Sequence, residues 1–321
     1  MKLLKPYFWD SKNLIFIPLC LLLYPVSLLG QLLILLKKVL NKNELNMKIP
    51  VVCIGNIYVG GTGKTPLALE VYKIFKKKGL YPVIIKKLHS NQEDEINLIK
   101  SKTKNLIVSK ERRDGVSLAK KKNYDCVILD DGLQDYSIKK HLKIVCFGNQ
   151  LDGNGWTLPS GPLREPFKSI KGSHIIVVNT PMGKPIKKYD YKIKKTDPKI
   201  KVFYSKYQPD LKLIKKFKNR KILTFAGIGN PINFFSLLKK YGLNLKKQIR
   251  FPDHYNYSKE ELINIIKDAD NNNLDIITTE KDYYRIKKFG LKKIRFIPVS
   301  VKINKEKKFI TEIMKLKNEN I

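Results

Sequence analysis

A short stretch soon after residue 50 carries the residue types that bind phosphate groups. The β-branched run Val51–Ile54 leads into a glycine-rich turn that ends in Lys64 and Thr65. Glycines let consecutive backbone N–H groups face one anion, and the N-terminus of a following helix adds positive charge. We therefore predict a Walker-type phosphate loop, in which Lys64 contacts the outer phosphates of ATP and the Thr65 hydroxyl binds Mg²⁺. The predicted nucleotide-binding residues are Tyr58, Val59, Gly60, Gly61, Thr62, Gly63, Lys64 and Thr65. Tyr58 stands where the strict pattern has glycine.

Two carboxylates follow a second apolar run. Cys126–Leu129 leads directly into Asp130 and Asp131, which is the order of a Walker B strand. In α/β folds, ligands bind at the carboxyl ends of parallel strands, so these side chains are expected beside the phosphate loop. Carboxylate and hydroxyl oxygens suit Mg²⁺. We predict a metal site formed by Thr65, Asp130 and Asp131.

The elements that position these residues alternate between strand and helix. After the phosphate loop, apolar strands are predicted at residues 81–85, 106–108, 144–147 and 175–179, with amphipathic helices between the first of them. This order predicts an α/β fold, with a P-loop NTPase-like parallel sheet and helices on both faces. A charged stretch at 212–221 marks a boundary before a smaller C-terminal α/β lobe. The expected domains are 1–47, 48–211 and 212–321.

The N-terminal part predicts a membrane helix. Residues 14–36 form 23 consecutive positions without a charged side chain. A bilayer core needs about 20 apolar residues. Pro18 and Pro25 interrupt the run, so the sequence leaves open whether the helix spans the bilayer or lies partly in its interface. Because ATP is a cytoplasmic substrate, the catalytic domains are expected on the cytoplasmic side of the membrane.

The composition is strongly basic. The formal net charge is +36, and 57 of the 64 basic residues are Lys. The lysines are spread along the whole chain, which favours a solvated basic surface, while attraction to an anionic membrane or substrate stays open. A nucleic-acid partner is not predicted. The four cysteines lack metal-ligand spacing, which is typical of reduced thiols.

Several motifs together resemble those of the tetraacyldisaccharide 4′-kinase family, the lipid A pathway kinases of Gram-negative bacteria. The motifs are Gly60–Pro66, Asp94-Glu95, Asp130–Gln134, Gly155-Trp156 through Pro159, Gly161–Glu165 and Phe251–Tyr255. The resemblance implies transfer of the ATP γ-phosphate to the 4′-hydroxyl of a tetraacylated glucosamine disaccharide 1-phosphate, which gives lipid IVA. It also implies a membrane partner, a role in lipopolysaccharide synthesis and a location at the inner membrane.

The resemblance further implies roles for single residues. Asp94 is the expected base and His254 its partner, brought together when the second domain closes on the first. From the residues alone, Asp94 looks like a surface acid and His254 like a structural histidine. Arg112 and Arg164 are expected to contact substrate phosphate, because planar bidentate donors stand out in a Lys-rich chain.

The chain departs from the family pattern in two places. Lys86-Lys87-Leu88-His89 stands where the family usually has an Arg-Gly-Tyr-Gly segment, and Asp135 stands where it has His. Both departures concern substrate contact rather than the phosphate loop or the metal aspartates.

Two other functions fit parts of the sequence. A membrane-tethered regulatory ATPase of the partition type has a similar loop, but its loop begins with a signature Lys where this chain has Val59. A membrane scaffold that binds nucleotide only structurally has no need for Thr65, Asp130 and Asp131 together. ATP turnover without a lipid acceptor would favour the partition-type ATPase.

Overall fold

Twelve strands form two sheets in the computed structural model, which describes residues 6–11, 13–40, 44–88 and 93–318. Their bounds are β1 Val51–Gly55, β2 Pro82–Lys87, β3 Leu106–Ser109, β4 Cys126–Asp130, β5 Leu142–Phe147, β6 Ile175–Asn179, β7 Lys201–Pro209, β8 Lys221–Ala226, β9 Asn244–Arg250, β10 Asp275–Thr279, β11 Ile294–Ile297 and β12 Val299–Ile303. Eight strands form one sheet in the order β12-β7-β6-β5-β1-β4-β2-β3, and four form the other in the order β11-β10-β8-β9. From β7 to β3 all neighbouring pairs in the larger sheet are parallel. The predicted fold class is confirmed.

Ten α-helices accompany the strands in the described part of the chain. Their bounds are α1 Ile17–Leu40, α2 Lys64–Lys77, α3 Glu93–Lys102, α4 Arg112–Lys121, α5 Lys187–Thr196, α6 Leu211–Phe217, α7 Pro231–Lys240, α8 Lys259–Asn271, α9 Glu280–Ile286 and α10 Glu306–Met314. Strands β1, β4 and β6 of the larger sheet are apolar along almost their whole length, as expected of strands covered on both faces. β1 and β4 are buried at every position. Helix α4 packs Val116 and Ala119 against this sheet.

The chain divides into two compact units that are not continuous in sequence. The described parts of His89–Lys104 join Tyr207–Ser300 in one unit, here called the small unit. The large unit contains Lys5–Leu88, Asn105–Lys206 and Val301–Ile321. Helix α3 lies within the expected nucleotide domain, 48–211, but belongs to the small unit, and α10 lies within the expected C-terminal domain, 212–321, but belongs to the large unit.

Helix α1 lies along the loop that follows β5. Its buried Ser27 donates a hydrogen bond to the Thr157 carbonyl over 3.0 Å. One turn later Gln31 donates to the Thr157 hydroxyl over 3.0 Å. Near its end Lys38 pairs with Glu165 at 2.9 Å. These contacts all belong to one stripe of the helix, and the rest of α1 exposes leucines. Residues 14–40 form a helix that is long and apolar enough to cross a membrane by length and composition. Only 11% of its most apolar part is buried inside the protein.

Candidate active site

The phosphate loop turns sharply between β1 and α2. Gly60 has φ of 110° and Gly63 has φ of 90°, which are conformations that only glycine adopts readily. Inside the loop, the Asn56 amide donates to the Thr62 hydroxyl over 2.9 Å. Lys64 is the first residue of α2 and Thr65 the second. The strand, glycine turn and helix start therefore occur as predicted, and the loop geometry fits a bound nucleotide phosphate.

Tyr58 has a structural role within this loop. Its side chain is 6% exposed and belongs to the apolar cluster that contains Leu163. The phenol donates a hydrogen bond to Asp10. Burial and the Asp10 carboxylate raise the pKa of Tyr58 well above its usual range. The aromatic ring is thus part of the core, and the Tyr58 carbonyl accepts a hydrogen bond from the Asn56 amide.

Asp130 ends β4 beside the phosphate loop. The Thr65 hydroxyl donates to Asp130 Oδ2 over 2.9 Å. Lys86 Nζ contacts the same oxygen at 2.9 Å. Asp130 Oδ1 is buried and has no hydrogen-bond partner among the described residues. A buried carboxylate oxygen without a partner, next to a threonine hydroxyl, fits the oxygen ligands that Mg²⁺ takes. In the described part of the chain, His, Cys, Asp and Glu form no cluster of three or more that could cage a metal.

Asp131 contacts the other cations of this site. Its carboxylate lies 3.7 Å from Lys64 Nζ and 3.4 Å from an Arg164 Nη. The Asp131 carbonyl accepts a 2.7 Å hydrogen bond from Arg112, which also lies 3.5 Å from Asp135. Burial alone would raise the pKa of Asp131, but the neighbouring positive charges hold it below its usual value. Six of the residues predicted from sequence thus meet in the large unit and form what we call the nucleotide cluster, namely Lys64, Thr65, Arg112, Asp130, Asp131 and Arg164.

Asp94 and His254 lie together in the small unit. Asp94 Oδ2 is 3.3 Å from His254 Nδ1. Both residues belong to the small unit, so their approach does not depend on the closure of one domain on another. Asp94 lies in the first turn of α3 and is only 4% exposed, which differs from the surface position that its local sequence indicates.

Two cations from α9 hold the same Asp94 oxygen. Arg285 donates a hydrogen bond to Asp94 Oδ2, and Lys281 Nζ lies 3.7 Å from it. Burial would raise the pKa of Asp94, but the hydrogen bond from His254 and the charges of Lys281 and Arg285 hold it far below its usual range. Asp94 Oδ1 is buried and has no hydrogen-bond partner among the described residues. One oxygen of Asp94 is therefore fixed, and the other is available to accept a hydrogen bond.

The surroundings of His254 favour one tautomer. Lys281 Nζ lies 3.1 Å from His254 Nε2. An ammonium group can only donate, so this contact favours the tautomer that carries its proton on Nδ1, the ring nitrogen 3.3 Å from Asp94 Oδ2. His254 has φ of 55°, and its N–H donates to the Gly227 carbonyl over 3.1 Å. Non-glycine residues in this region of φ are uncommon and concentrate at functional sites. We call Asp94, Glu95, His254, Lys281 and Arg285 the Asp94 cluster.

Three residues in or beside these clusters were not predicted as site residues, namely Lys86 beside the nucleotide cluster and Lys281 and Arg285 in the Asp94 cluster, while Glu95 was noted only as part of the family motif. Lys86 and Lys281 are two of 57 lysines, so their type carries little information. Arg285 is one of seven arginines, and the reasoning that selected Arg112 and Arg164 applies to it equally. Lys87 and Leu88 belong to the departure from the family pattern, and His89 of the same segment lies outside the described residues.

The phosphate loop and its surroundings define the class of this protein, and comparison with known proteins shows its family. A glycine-rich phosphate loop at the end of a central parallel strand, followed by Lys and Thr and faced by two aspartates, defines a P-loop nucleotide-binding protein. Residues 19–318 match the profile of the tetraacyldisaccharide-1-P 4′-kinase family. The chain belongs to that family.

Relatives and a solved structure extend the match. The chain is 39% identical to the tetraacyldisaccharide 4′-kinase of Pelagibacter ubique, over the full length of both. It is 33% identical to that of Rickettsia bellii, over 89% of this chain and 90% of the relative. A crystal structure of LpxK from Aquifex aeolicus in complex with ATP superimposes with a TM-score of 0.68 over 93% of this chain and 99% of that chain, at 23% identity.

Proposed function

We propose that this chain is an ATP-dependent kinase that phosphorylates the 4′-hydroxyl of a tetraacylated glucosamine disaccharide 1-phosphate. Membership of the family supports the reaction. The structural observation that carries the proposal is the 2.9 Å hydrogen bond from Thr65 to Asp130 beside the phosphate loop, with Asp130 Oδ1 left without a partner among the described residues. A hydroxyl and a carboxylate in this arrangement are what a magnesium-nucleotide site requires.

The nucleotide cluster has the groups to bind phosphate. Lys64 and Arg164 already lie near a carboxylate and can exchange it for phosphate oxygens of the nucleotide or acceptor. Thr65, Asp130 and Asp131 would hold Mg²⁺, which when bound offsets charge on the transferred phosphoryl group. Arg112, held by the Asp131 carbonyl, keeps the turn after β4 in place.

The Asp94 cluster supplies the proton acceptor. A sugar hydroxyl binds its proton tightly, so its attack on phosphorus needs an oriented base. Asp94 Oδ1 is the oxygen available for that hydroxyl, because Oδ2 is occupied by Arg285, Lys281 and His254. The low pKa of Asp94 keeps it ionised, and the transition state of phosphoryl transfer is loose, so the proton moves late. His254 orients the carboxylate through Nδ1–H.

The test is analysis of the product by mass spectrometry. Purified protein with Mg-ATP and tetraacyldisaccharide 1-phosphate is expected to add one phosphate to the distal sugar. Lys64→Ala should lower this lipid-dependent transfer by at least about a hundredfold, because it removes a charge that stabilises the transition state. ATP hydrolysis at an unchanged rate without lipid, and no phosphorylated lipid, would identify a partition-type ATPase instead.

We also infer that α1 lies in the membrane interface rather than across the bilayer. Its docked stripe runs from Cys20 to Lys38, which is about 27 Å of helix. A spanning helix would carry the attached loop, with Thr157 and Glu165, into the hydrocarbon, where irregular backbone exposed to lipid is not tolerated. An interfacial helix keeps that loop at the surface and buries the exposed leucines in lipid. The catalytic units then lie on the cytoplasmic face, where ATP is available.

Depth measurements distinguish the two arrangements. The four native cysteines are buried, so a cysteine introduced at Leu22 or Leu33 can be labelled with an environment-sensitive dye. Both positions are on the exposed face, about 16 Å apart along the helix. Spin-labelled lipids should quench both dyes at the same shallow depth. Clearly different depths at the two positions would indicate a spanning helix.

A further inference from the structure

A buried lysine lies against the nucleotide cluster and has no part in the mechanism above. Lys86 is 2% exposed and is next to Asp130 in the register of β2 and β4. Its Nζ lies 2.9 Å from Asp130 Oδ2, and Asp130 is fully buried. The next residue of the strand behaves differently, since Lys87 pairs at 3.0 Å with Glu111, whose side chain is 62% exposed.

The position of Lys86 matters because ammonium groups are costly to bury. A lysine is kept inside a protein only where an opposite charge holds it. The partner here is the carboxylate that, with Thr65, forms the site for the metal of Mg-ATP. A fixed positive charge is therefore built into the place where phosphate charge must be offset.

We propose that Lys86 is a resident cation of the nucleotide site, a positioning residue that supplies part of the positive charge otherwise given by Mg²⁺. Its ammonium holds Asp130 Oδ2 and leaves Oδ1 for the metal. It attracts nucleotide phosphates whether or not metal is present, and it repels the metal itself. Nucleotide binding to this chain consequently depends less on Mg²⁺ than it would with a neutral residue at position 86. The inference rests on the nucleotide site proposed above.

The test measures how strongly Mg²⁺ and nucleotide binding are coupled. Full-length protein in detergent micelles is titrated with a fluorescent ADP analogue, once with excess Mg²⁺ and once with EDTA. The measured quantity is the affinity with Mg²⁺ divided by the affinity in EDTA. Lys86→Met is expected to weaken binding in EDTA by about tenfold, because one positive charge near the phosphates is lost. With Mg²⁺ present, binding should weaken by less than about threefold, because the site then binds the metal more tightly and this offsets part of the loss. The ratio should thus increase several-fold.

Three further variants complete the design. Lys87→Met removes a lysine from the same strand and should leave the ratio at the wild-type value. Lys86→Arg keeps the charge and should restore the ratio. If Lys86→Met does not fold, Lys86→Gln, which keeps an N–H donor for Asp130 without the charge, carries the same measurement. An unchanged ratio in the neutral variant would overturn the role of Lys86. Wild-type protein that binds no nucleotide in either buffer would overturn the proposed function instead.

Discussion

Arg285→Met would remove the side chain that joins two buried carboxylates of the small unit. Arg285 is bonded to Asp94 and lies 2.7 Å from Asp282, which is fully buried. Removing one partner of a buried ion pair costs about 3–5 kcal/mol, because the remaining charge stays desolvated. Asp282 keeps a 2.9 Å hydrogen bond from Tyr257 and a 3.0 Å bond from the Gly227 N–H. We therefore expect the lower end, about 3 kcal/mol of lost unfolding free energy.

Urea unfolding at neutral pH measures this loss. Arg220→Met is the matched control, because Arg220 pairs with Asp275 at 3.1 Å in the same unit but is 47% exposed. An exposed pair of this kind contributes less than about 1 kcal/mol. Combining Arg285→Met with Asp94→Asn should cost less than the sum of the two single losses, by at least about 1 kcal/mol, because the two residues are in contact. A loss for Arg285→Met as small as that for Arg220→Met, or strict additivity with Asp94→Asn, would refute the reasoning.

Three further outcomes follow from the same contacts. Asp94→Asn should lower kcat by at least about a hundredfold with little change in the KM for ATP, since it removes the base; steady-state kinetics that show an effect on KM alone would contradict this role. The pKa of folded Asp94 is below its unfolded value of about 3.9, so the stabilisation that Asp94 provides is complete above that value and is lost as the pH falls. The stability difference between wild type and Asp94→Asn, measured by urea unfolding, should thus be constant from about pH 6 to 8 and shrink below about pH 4; a difference that grows in acid would be inconsistent with it. Tyr58→Phe should cost about 1.5–3 kcal/mol through the lost bond to Asp10 yet leave ADP affinity unchanged in a fluorescence titration; a large loss of affinity would mean that the phenol contacts the nucleotide.

The local patterns of the sequence predict much of this architecture. The phosphate loop, the strand that ends at Asp130 and the apolar helix near the N-terminus are each encoded by neighbouring residues, so short-range reasoning is sufficient. The pairing of Asp94 with His254 was expected only from the family resemblance. The structure places the two side chains 3.3 Å apart, while their roles stay proposals.

Other features depend on contacts that sequence patterns do not show. Tyr58 has its partner at Asp10, and Arg285 reaches Asp94 across 191 positions. Lys86 lies on a strand whose register with β4 places it beside Asp130, but the letter Lys in a Lys-rich chain does not reveal that burial. The allocation of α3 and α10 to units also requires the tertiary contacts, because each lies on the other side of the sequence boundary at residue 211.

The membership of α3 in the small unit has a consequence for synthesis. A ribosome makes Asp94 well before it makes any of the residues that neutralise it, because His254, Lys281 and Arg285 all come more than 150 positions later. During that interval the acidic first turn of α3 has no cationic partner from its own cluster, while the strands of the large sheet on either side of it are already available to fold. Asp94 therefore cannot form its ion pairs with Lys281 and Arg285 until α9 has been made. A protein truncated after residue 211 would retain the phosphate loop but leave α3 without the small unit that holds it.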